Sequence, residues 1–127
     1  MSYQEDITTA VLACAPIAEI IGDRFWWDFA DGSTGTPYLV AQTITVSGET
    51  DLGGDRSLGF PTVQFTAWGP LKSECISIIA AIRQIEGFQL PGTSKTSLVY
   101  NSEESTRDPQ TRYFGEIIEY TAPHTLN

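Results

Sequence analysis

The sequence predicts an α+β fold, in which a mostly antiparallel sheet of about four to five strands carries two helices on one face, in the order α-β-β-β-α-β-β. Residues 60–88 provide the main observation, since an alternating apolar pattern that ends near Trp68 changes to a helical apolar stripe after Pro70. Alternation is typical of a half-buried strand, and recurrence every three to four residues is typical of an amphipathic helix. The other observation is that the predicted strands follow one another through short or hairpin links, which favours antiparallel pairing.

The central strand and helix have clear limits in the sequence. Val63, Phe65 and Ala67 alternate with polar residues and therefore form one face of the strand. The helical stripe consists of Leu71, Cys75, Ile78, Ile79, Ile82 and Ile85. Gly87 is a natural end for this helix, because glycine adopts a left-handed conformation without steric cost. The stripe must pack on an apolar surface, and a sheet that contains the preceding strand is the nearest one.

The N-terminal part of the chain predicts further helix. Ser2 and Glu5 fit the capping-box pattern, and a helical apolar stripe follows them. Pro16 interrupts this stripe, because its ring clashes with the backbone one turn earlier. We therefore expect one helix that ends near Ala13, and a short second helical piece that ends at Ile21.

Four further strands are predicted at 24–29, 38–46, 97–100 and 112–120. Residues 47–59 are rich in glycine and charge, so we expect a long, mobile loop there. Residues 101–109 are polar and acidic and are predicted to form another loop. Residues 121–127 are expected to be a short, frayed tail. The whole of 1–127 is predicted to be one domain.

Composition and charge exclude several classes of protein. A chain of 127 residues suits one domain, and 41% hydrophobic residues favour a folded chain over a disordered one. The net charge of −9, from 7 basic and 16 acidic residues, disfavours nucleic-acid binding. The N-terminus lacks the basic and apolar pattern of a signal peptide, and no apolar stretch approaches the length of a membrane span.

No set of residues suggests catalysis or metal binding. Cys14 and Cys75 lie on predicted helices and are expected to be reduced and inert, with a disulfide between the two helices as the alternative. His124, the single histidine, lies in the expected frayed tail, where a general base has no fixed position. Glu116 and Glu119 would lie on opposite faces of the last strand, so they cannot form a catalytic pair. We therefore predict no enzyme activity, no catalytic residue and no metal or cofactor.

The loop 47–59 contains two weak motifs. The segment from Gly48 to Asp55 has glycines spaced as in a phosphate loop, but it lacks the required lysine and hydroxyl residue. Glu49, Asp51 and Asp55 are carboxylates without the spacing of an EF-hand. A pocket under this loop remains an alternative, in which the chain is a small-ligand-binding domain or another non-catalytic α+β adaptor.

Both faces of the predicted sheet are apolar. Trp26 precedes Trp27, and Ile117 precedes Ile118, so each pair places one large side chain on each face. Helices cover one face only, and an exposed aromatic face usually marks a partner surface. The predicted residues of a subunit or partner interface are Trp26, Tyr38, Leu52, Leu58, Trp68, Tyr113 and Ile117.

Four short segments follow one another as in a known protein family. They are IGDR (21–24), TPYLVAQ (36–42), VQFTAW (63–68) and AIR (81–83). With this order and spacing, nearly the whole chain resembles the tail-completion, or tail-terminator, proteins of long-tailed bacteriophages. The aromatic first strand at 25–27 has no counterpart in the family pattern.

The resemblance implies a structural virion protein without catalytic residues or cofactors. Proteins of this family form a ring, typically hexameric, at the head-proximal end of the tail tube. There they end tube polymerisation and join the tail to the head-completion or connector proteins. The implied partners are further copies of the chain, the tail tube protein and the head-completion protein, with no membrane. The implied location is the head–tail junction of a virion assembled in the host cytoplasm. Another ring or adaptor protein of the same virion is an alternative.

The acidic composition gains a meaning from this resemblance. DNA passes through the channel of such a ring without specific binding, and carboxylates that face the channel would repel its phosphates. The predicted channel-facing residues are Glu49, Asp51, Asp55, Glu103, Glu104 and Asp108.

Overall fold

The structure, a computed structural model, describes residues 3–30, 35–45, 48–50, 56–87, 89–92 and 95–125. The helices are α1 (Tyr3–Ala13), α2 (Ala15–Ile21) and α3 (Lys72–Ile82), and a 3₁₀ turn (Arg83–Ile85) continues α3. The strands are β1 (Phe25–Trp27), β2 (Tyr38–Thr45), β3 (Gly48–Thr50), β4 (Arg56–Gly59), β5 (Thr62–Gly69), β6 (Val99–Arg107), β7 (Phe114–Thr121) and β8 (His124–Thr125). The predicted α+β class is confirmed.

The strands form one large sheet and one small sheet. The large sheet has the order β1-β2-β5-β7-β6, and the small sheet has the order β3-β4-β8. All described pairs of strands are antiparallel except β1 and β2, which run parallel. The break between α1 and α2 lies where the proline ring at position 16 predicted it. α3 packs across β5 and β7.

The core lies between the helices and one face of the large sheet, which we call the inner face. Phe65 and Tyr120 are fully buried there, with their ring centroids 5.9 Å apart in an edge-to-face arrangement. Phe25 adds a ring 6.4 Å from that of Phe65. The helices contribute Ile7, Val11, Ile17, Ile21, Cys75, Ile78 and Ile82, all fully buried. The predicted stripe of α3 therefore packs on the predicted central strand.

Two predicted loops contain regular structure. Residues 101–109 were expected to form a loop, but β6 spans most of this segment and pairs with β7 along its length. Polarity is misleading here, because β6 is an edge strand and every one of its residues is exposed. Within 47–59, β3 and β4 form a hairpin, and residues 51–55 lie outside the described part of the chain.

The prediction of a frayed tail is wrong for residues 121–125. β7 extends to Thr121, and His124 in β8 pairs with Gly59 of β4. His124 is only 6% exposed, and its ring centroid lies 4.6 Å from that of Tyr3 in α1. Tyr3 in turn shares a hydrogen bond of 2.8 Å with Thr43 in β2. His124 therefore has a fixed position, with a structural role that joins the small sheet to α1.

A buried carboxylate anchors the segment before β6. Asp6 in α1 is only 2% exposed, and one of its carboxylate oxygens accepts a hydrogen bond of 3.1 Å from the Thr96 hydroxyl. The backbone of Gly92 passes so close to this carboxylate that a Cβ at position 92 would overlap it. Gly92 also has a φ of +135°, which side chains rarely tolerate. This position therefore requires glycine for both reasons.

Cys75 is predicted to resist thiol reagents. Both cysteines are free, and Cys75 is fully buried on the side of α3 that packs on the sheet. Burial raises the pKa of its thiol to about 11, with further contributions from Glu116 and Glu74. Because only the thiolate reacts, we expect DTNB at pH 8 to modify Cys14 first and Cys75 at least about 100-fold more slowly. Time courses with the variants Cys14→Ser and Cys75→Ser give the two rates, and equal rates would contradict the prediction.

The Tyr120 hydroxyl is predicted to contribute nothing to stability. It is buried, and no residue in the described ranges provides it with a hydrogen-bond partner. Burial raises the pKa of Tyr120 above its usual value, so the phenol stays neutral. We expect Tyr120→Phe to leave the free energy of unfolding unchanged or raise it by up to about 1 kcal/mol, since a buried unpaired hydroxyl is costly. Urea denaturation measures this, and a loss of more than about 1 kcal/mol would reveal a partner.

Candidate interaction surface

The face of the large sheet opposite the helices, here the outer face, contains a trough of about 390 Å³. Its floor is formed by side chains from three adjacent strands, β2, β5 and β7. The floor residues are Tyr38, Val40, Gln42, Gln64, Thr66, Trp68 and Ile117. This open depression on a sheet suits an interaction with another protein segment.

The strand register brings the floor residues together. Tyr38 lies opposite Trp68, and Val40 lies opposite Thr66, across the antiparallel pair of β2 and β5. On the other side of β5, Thr66 lies opposite Ile117 in β7. Successive residues of a strand point to opposite faces, so the apolar residues between these positions line the core instead. The same strands therefore build both the core and the trough.

One wall of the trough begins directly after β1. Asp28 has a φ of +72°, and the Phe29 amide donates a hydrogen bond of 2.9 Å to the Trp27 carbonyl oxygen. A backbone hydrogen bond between residues i and i+2, with the central residue at this positive φ, defines a classic γ-turn. This conformation is rare and strained. The turn places Asp28, Phe29 and Ala30 at the trough. Phe29 is 79% exposed, although it is large and apolar.

The opposite end of the trough is bordered by Asp108, which follows β6. Burial raises the pKa of Tyr38, with further contributions from Tyr113 and Asp108, so the Tyr38 phenol stays protonated and can donate a hydrogen bond. Asp28 and Asp108 are the charged residues that line the trough, and both are acidic. The trough therefore favours an occupant that combines apolar contact area with a positive charge.

The candidate catalytic and metal-ligating residues are scattered among the described elements. No group of three or more histidine, cysteine, aspartate or glutamate side chains that could hold a metal occurs within them. Glu116 and Glu119 lie on opposite faces of β7, as predicted, because Gly115 and Ile117 share the outer face with Glu119. The Trp68 ring packs over Gly115, where an added Cβ would lie 2.8 Å from the ring atom Cζ3. Trp68 thus belongs to the outer face.

The structure brings together part of the predicted interface. Tyr38, Trp68 and Ile117 share the trough floor, and Tyr113 lies close enough to Tyr38 to influence its pKa. Trp26 lies on the same face, opposite Val40 in β2. Leu52 lies outside the described residues, and Leu58 lies on β4 in the small sheet, where its side chain is not described.

The outer face is less exposed than the sequence suggests. Val40 is 6% exposed and Thr66 is 5% exposed, while the aromatic residues of the face are half-buried. Phe29 is absent from the predicted interface, because alternation along the predicted strand 24–29 would place it on the side of Phe25 and Trp27. The γ-turn at Asp28 breaks that alternation, and aspartate, a residue that tolerates positive φ, was the available signal.

The predicted channel residues do not form one cluster. Glu103 and Glu104 lie in β6 and point to opposite faces of the sheet. Glu103 forms an ion pair with Arg83, with its Oε1 atom 2.6 Å from the guanidinium. Glu104 is exposed and lies on the outer face, opposite Ile117, and Asp108 borders the trough on the same face. Glu49 lies in β3 with its side chain not described, and Asp51 and Asp55 lie outside the described residues.

A family comparison covers almost the entire chain. The family model described as "Tail completion protein gp17" matches residues 5–124. The chain belongs to this family. As a tail-completion protein it is a structural component of the phage virion, and it is not an enzyme.

Solved structures agree with the fold of this tail-completion protein. A chain from "Virion of native gene transfer agent (GTA) particle" has a TM-score of 0.77 at 12% identity, with 97% of this chain and 94% of that chain covered. The chain in "Structure of bacteriophage SPP1 gp17 protein" has a TM-score of 0.55 at 14% identity, with 98% of this chain and 88% of that chain covered. No curated protein sequence matches this chain. Among its described helices, none has the length and hydrophobicity needed to cross a membrane.

Proposed function

We propose that this tail-completion protein forms a closed, hexameric ring at the head-proximal end of a phage tail tube. The ring ends polymerisation of the tube and joins the tail to the head-completion proteins. The observation that supports this proposal is the trough on the outer face, which gives the chain a second interaction side opposite its helices. A ring of identical subunits needs two different, complementary surfaces on each subunit.

The solution mass tests ring formation. We expect light scattering over a concentration series to show a discrete oligomer of about six subunits, each of 13.9 kDa. Masses that increase continuously with concentration would indicate an open filament instead. A chain that remains monomeric both in solution and on isolated tails would contradict the ring.

The length of the tails tests termination. In particles that lack this protein, we expect tail tubes of uncontrolled length without attached heads, as seen by negative-stain electron microscopy. Supplying the wild-type chain should restore one tail length and head attachment. Headless tails of normal length would show that the protein joins the tail and head but does not terminate the tube.

We also propose that an acidic surface faces the channel, so that DNA passes without binding. Among the described candidates, Glu104 is the exposed one on the outer face, whereas Glu103 is paired with Arg83. Glu104→Gln should therefore leave ring formation unchanged while increasing retention of DNA in the tail, because a repulsive charge is removed. Loss of the ring in Glu104→Gln would place this residue at a subunit contact instead.

A further inference from the structure

A second exposed surface lies on the inner side of the molecule, where β6 extends beyond the cover of α3. One flank of α3 and its 3₁₀ turn carries Lys72, Ile76 and Arg83. These residues share a flank because each is separated from the next by close to a whole number of helical turns. Arg83 reaches β6, where its guanidinium carbon lies 4.6 Å from the ring centroid of Tyr100. We call this surface the α3–β6 shelf. Its residues are Lys72, Ile76, Arg83, Tyr100, Glu103 and Arg107.

The shelf combines exposed apolar side chains with positive charge. Ile76 is 48% exposed and Tyr100 is 43% exposed, both high values for large apolar residues. Lys72 has no ion-pair partner within the described ranges, and the Arg107 guanidinium stacks on Phe114, 4.7 Å from its ring centroid. In a chain with a net charge of −9, a local concentration of lysine and arginine is unusual.

The shelf and the trough lie on opposite faces of the same sheet. The trough floor lies on β2, β5 and β7, and the shelf lies at the β6 edge on the face that carries the helices. The trough is bordered by Asp28 and Asp108 and exposes Phe29, whereas the shelf offers apolar side chains and the cations Lys72 and Arg107, with Arg83 already paired with Glu103 and Glu86. The two surfaces are therefore complementary in charge and in apolar character.

We infer that the α3–β6 shelf of one copy docks in the trough of the next copy, so that neighbouring subunits overlap like tiles. This inference rests on the proposed ring and specifies its contact. Because the two surfaces differ and face opposite ways, the contact is head-to-tail, which is the kind that generates rings. Ile76 is the apolar anchor on the shelf, and Phe29 is the apolar anchor in the trough. Lys72 faces the acidic border of the trough.

Single substitutions test each surface separately. We expect Ile76→Asp, on the shelf, and Phe29→Lys, in the trough, each to weaken association by about 30-fold or more, as for an interface anchor. Both residues are exposed, so circular dichroism and thermal unfolding should remain close to those of the wild type. Leu12→Asp is the matched control, since Leu12 is a 43% exposed residue of the same helical layer. It should assemble like the wild type.

Mixing the two variants gives the decisive measurement. Each Ile76→Asp chain keeps an intact trough, and each Phe29→Lys chain keeps an intact shelf. The trough of the first variant can therefore bind the shelf of the second. We expect each variant alone to be monomeric, and the equimolar mixture to form a heterodimer that does not grow further, at concentrations where the wild type is fully assembled. Analytical ultracentrifugation resolves these species.

The possible failures are distinguishable. If Ile76→Asp assembles as well as the wild type, the shelf is not the subunit contact. The proposed ring itself would remain supported. If both variants are monomeric and their mixture stays monomeric at ten times that concentration, the two surfaces do not bind each other. If the wild type forms no ring in solution or on tails, the proposed function fails together with this contact.

Discussion

Replacing Gly92 with alanine is expected to lower the free energy of unfolding by about 3 kcal/mol or more. Two costs add at this position. The φ of +135° is strained for any residue with a side chain, and the new methyl group would overlap the carboxylate of Asp6. Asp6 cannot move away freely, because it is buried in α1 and accepts the hydrogen bond from Thr96. Urea denaturation followed by circular dichroism gives the change in free energy.

Gly87→Ala is the control for the Gly92 substitution. Gly87 also has a positive φ, +81°, but apart from its chain neighbours no atom of the described residues lies within 4 Å of the position of an added Cβ. This variant isolates the conformational cost, and we expect a loss of about 1 kcal/mol. Equal losses at both glycines would show that the overlap with Asp6 relaxes at no cost, and that the anchor between α1 and residue 92 is not rigid.

Replacing Phe65 with alanine is expected to destabilise the fold by about 4 kcal/mol. Phe65 is fully buried at the centre of the large sheet, and its ring contacts those of Phe25 and Tyr120. The substitution removes these contacts and leaves a cavity that a rigid sheet cannot close. Thermal and urea unfolding of the purified variant measure the loss.

Phe29→Ala provides a matched comparison with Phe65→Ala. Phe29 is 79% exposed, so its removal should change stability by less than about 0.5 kcal/mol. It should weaken subunit association instead, because Phe29 borders the trough. The two phenylalanines thus separate folding from assembly. A large loss of stability in Phe29→Ala would mean that the Phe29 side chain packs against its own subunit.

The sequence was sufficient to predict the elements with strong periodicity. The alternation through Phe65 and the stripe through Ile78 and Ile82 identified β5 and α3, and Pro16 located the break between α1 and α2. These signals are local, because burial on one face repeats every two residues in a strand and about every 3.6 residues in a helix. The class of the fold followed from them.

Other features depend on contacts that are distant in sequence. β6 lacks apolar alternation because it is an edge strand whose residues are exposed, so its identity comes from pairing with β7. The parallel pairing of β1 with β2 is not visible in either segment. His124 is fixed by Gly59 and Tyr3, which lie far from it in the chain.

The trough was predictable only in part. Alternation placed Tyr38, Trp68 and Ile117 on one face, but the strand order decided that they are neighbours. The walls depend on the γ-turn at Asp28 and on the position of Asp108, for which periodicity gives no signal. Side chains on strands were therefore easier to assign than side chains on the segments between strands.

The contact between His124 and Tyr3 has a consequence for motion. The small sheet cannot separate from the rest of the chain without breaking this ring contact, whose centroids are 4.6 Å apart. The Tyr3 hydroxyl is also hydrogen-bonded to the Thr43 hydroxyl near the end of β2. We therefore expect the amides of β8, β4 and the first turn of α1 to exchange with deuterium as one cooperative unit. A partner that binds the β3–β4 hairpin would then also slow exchange at the start of α1, through the contact between His124 and Tyr3.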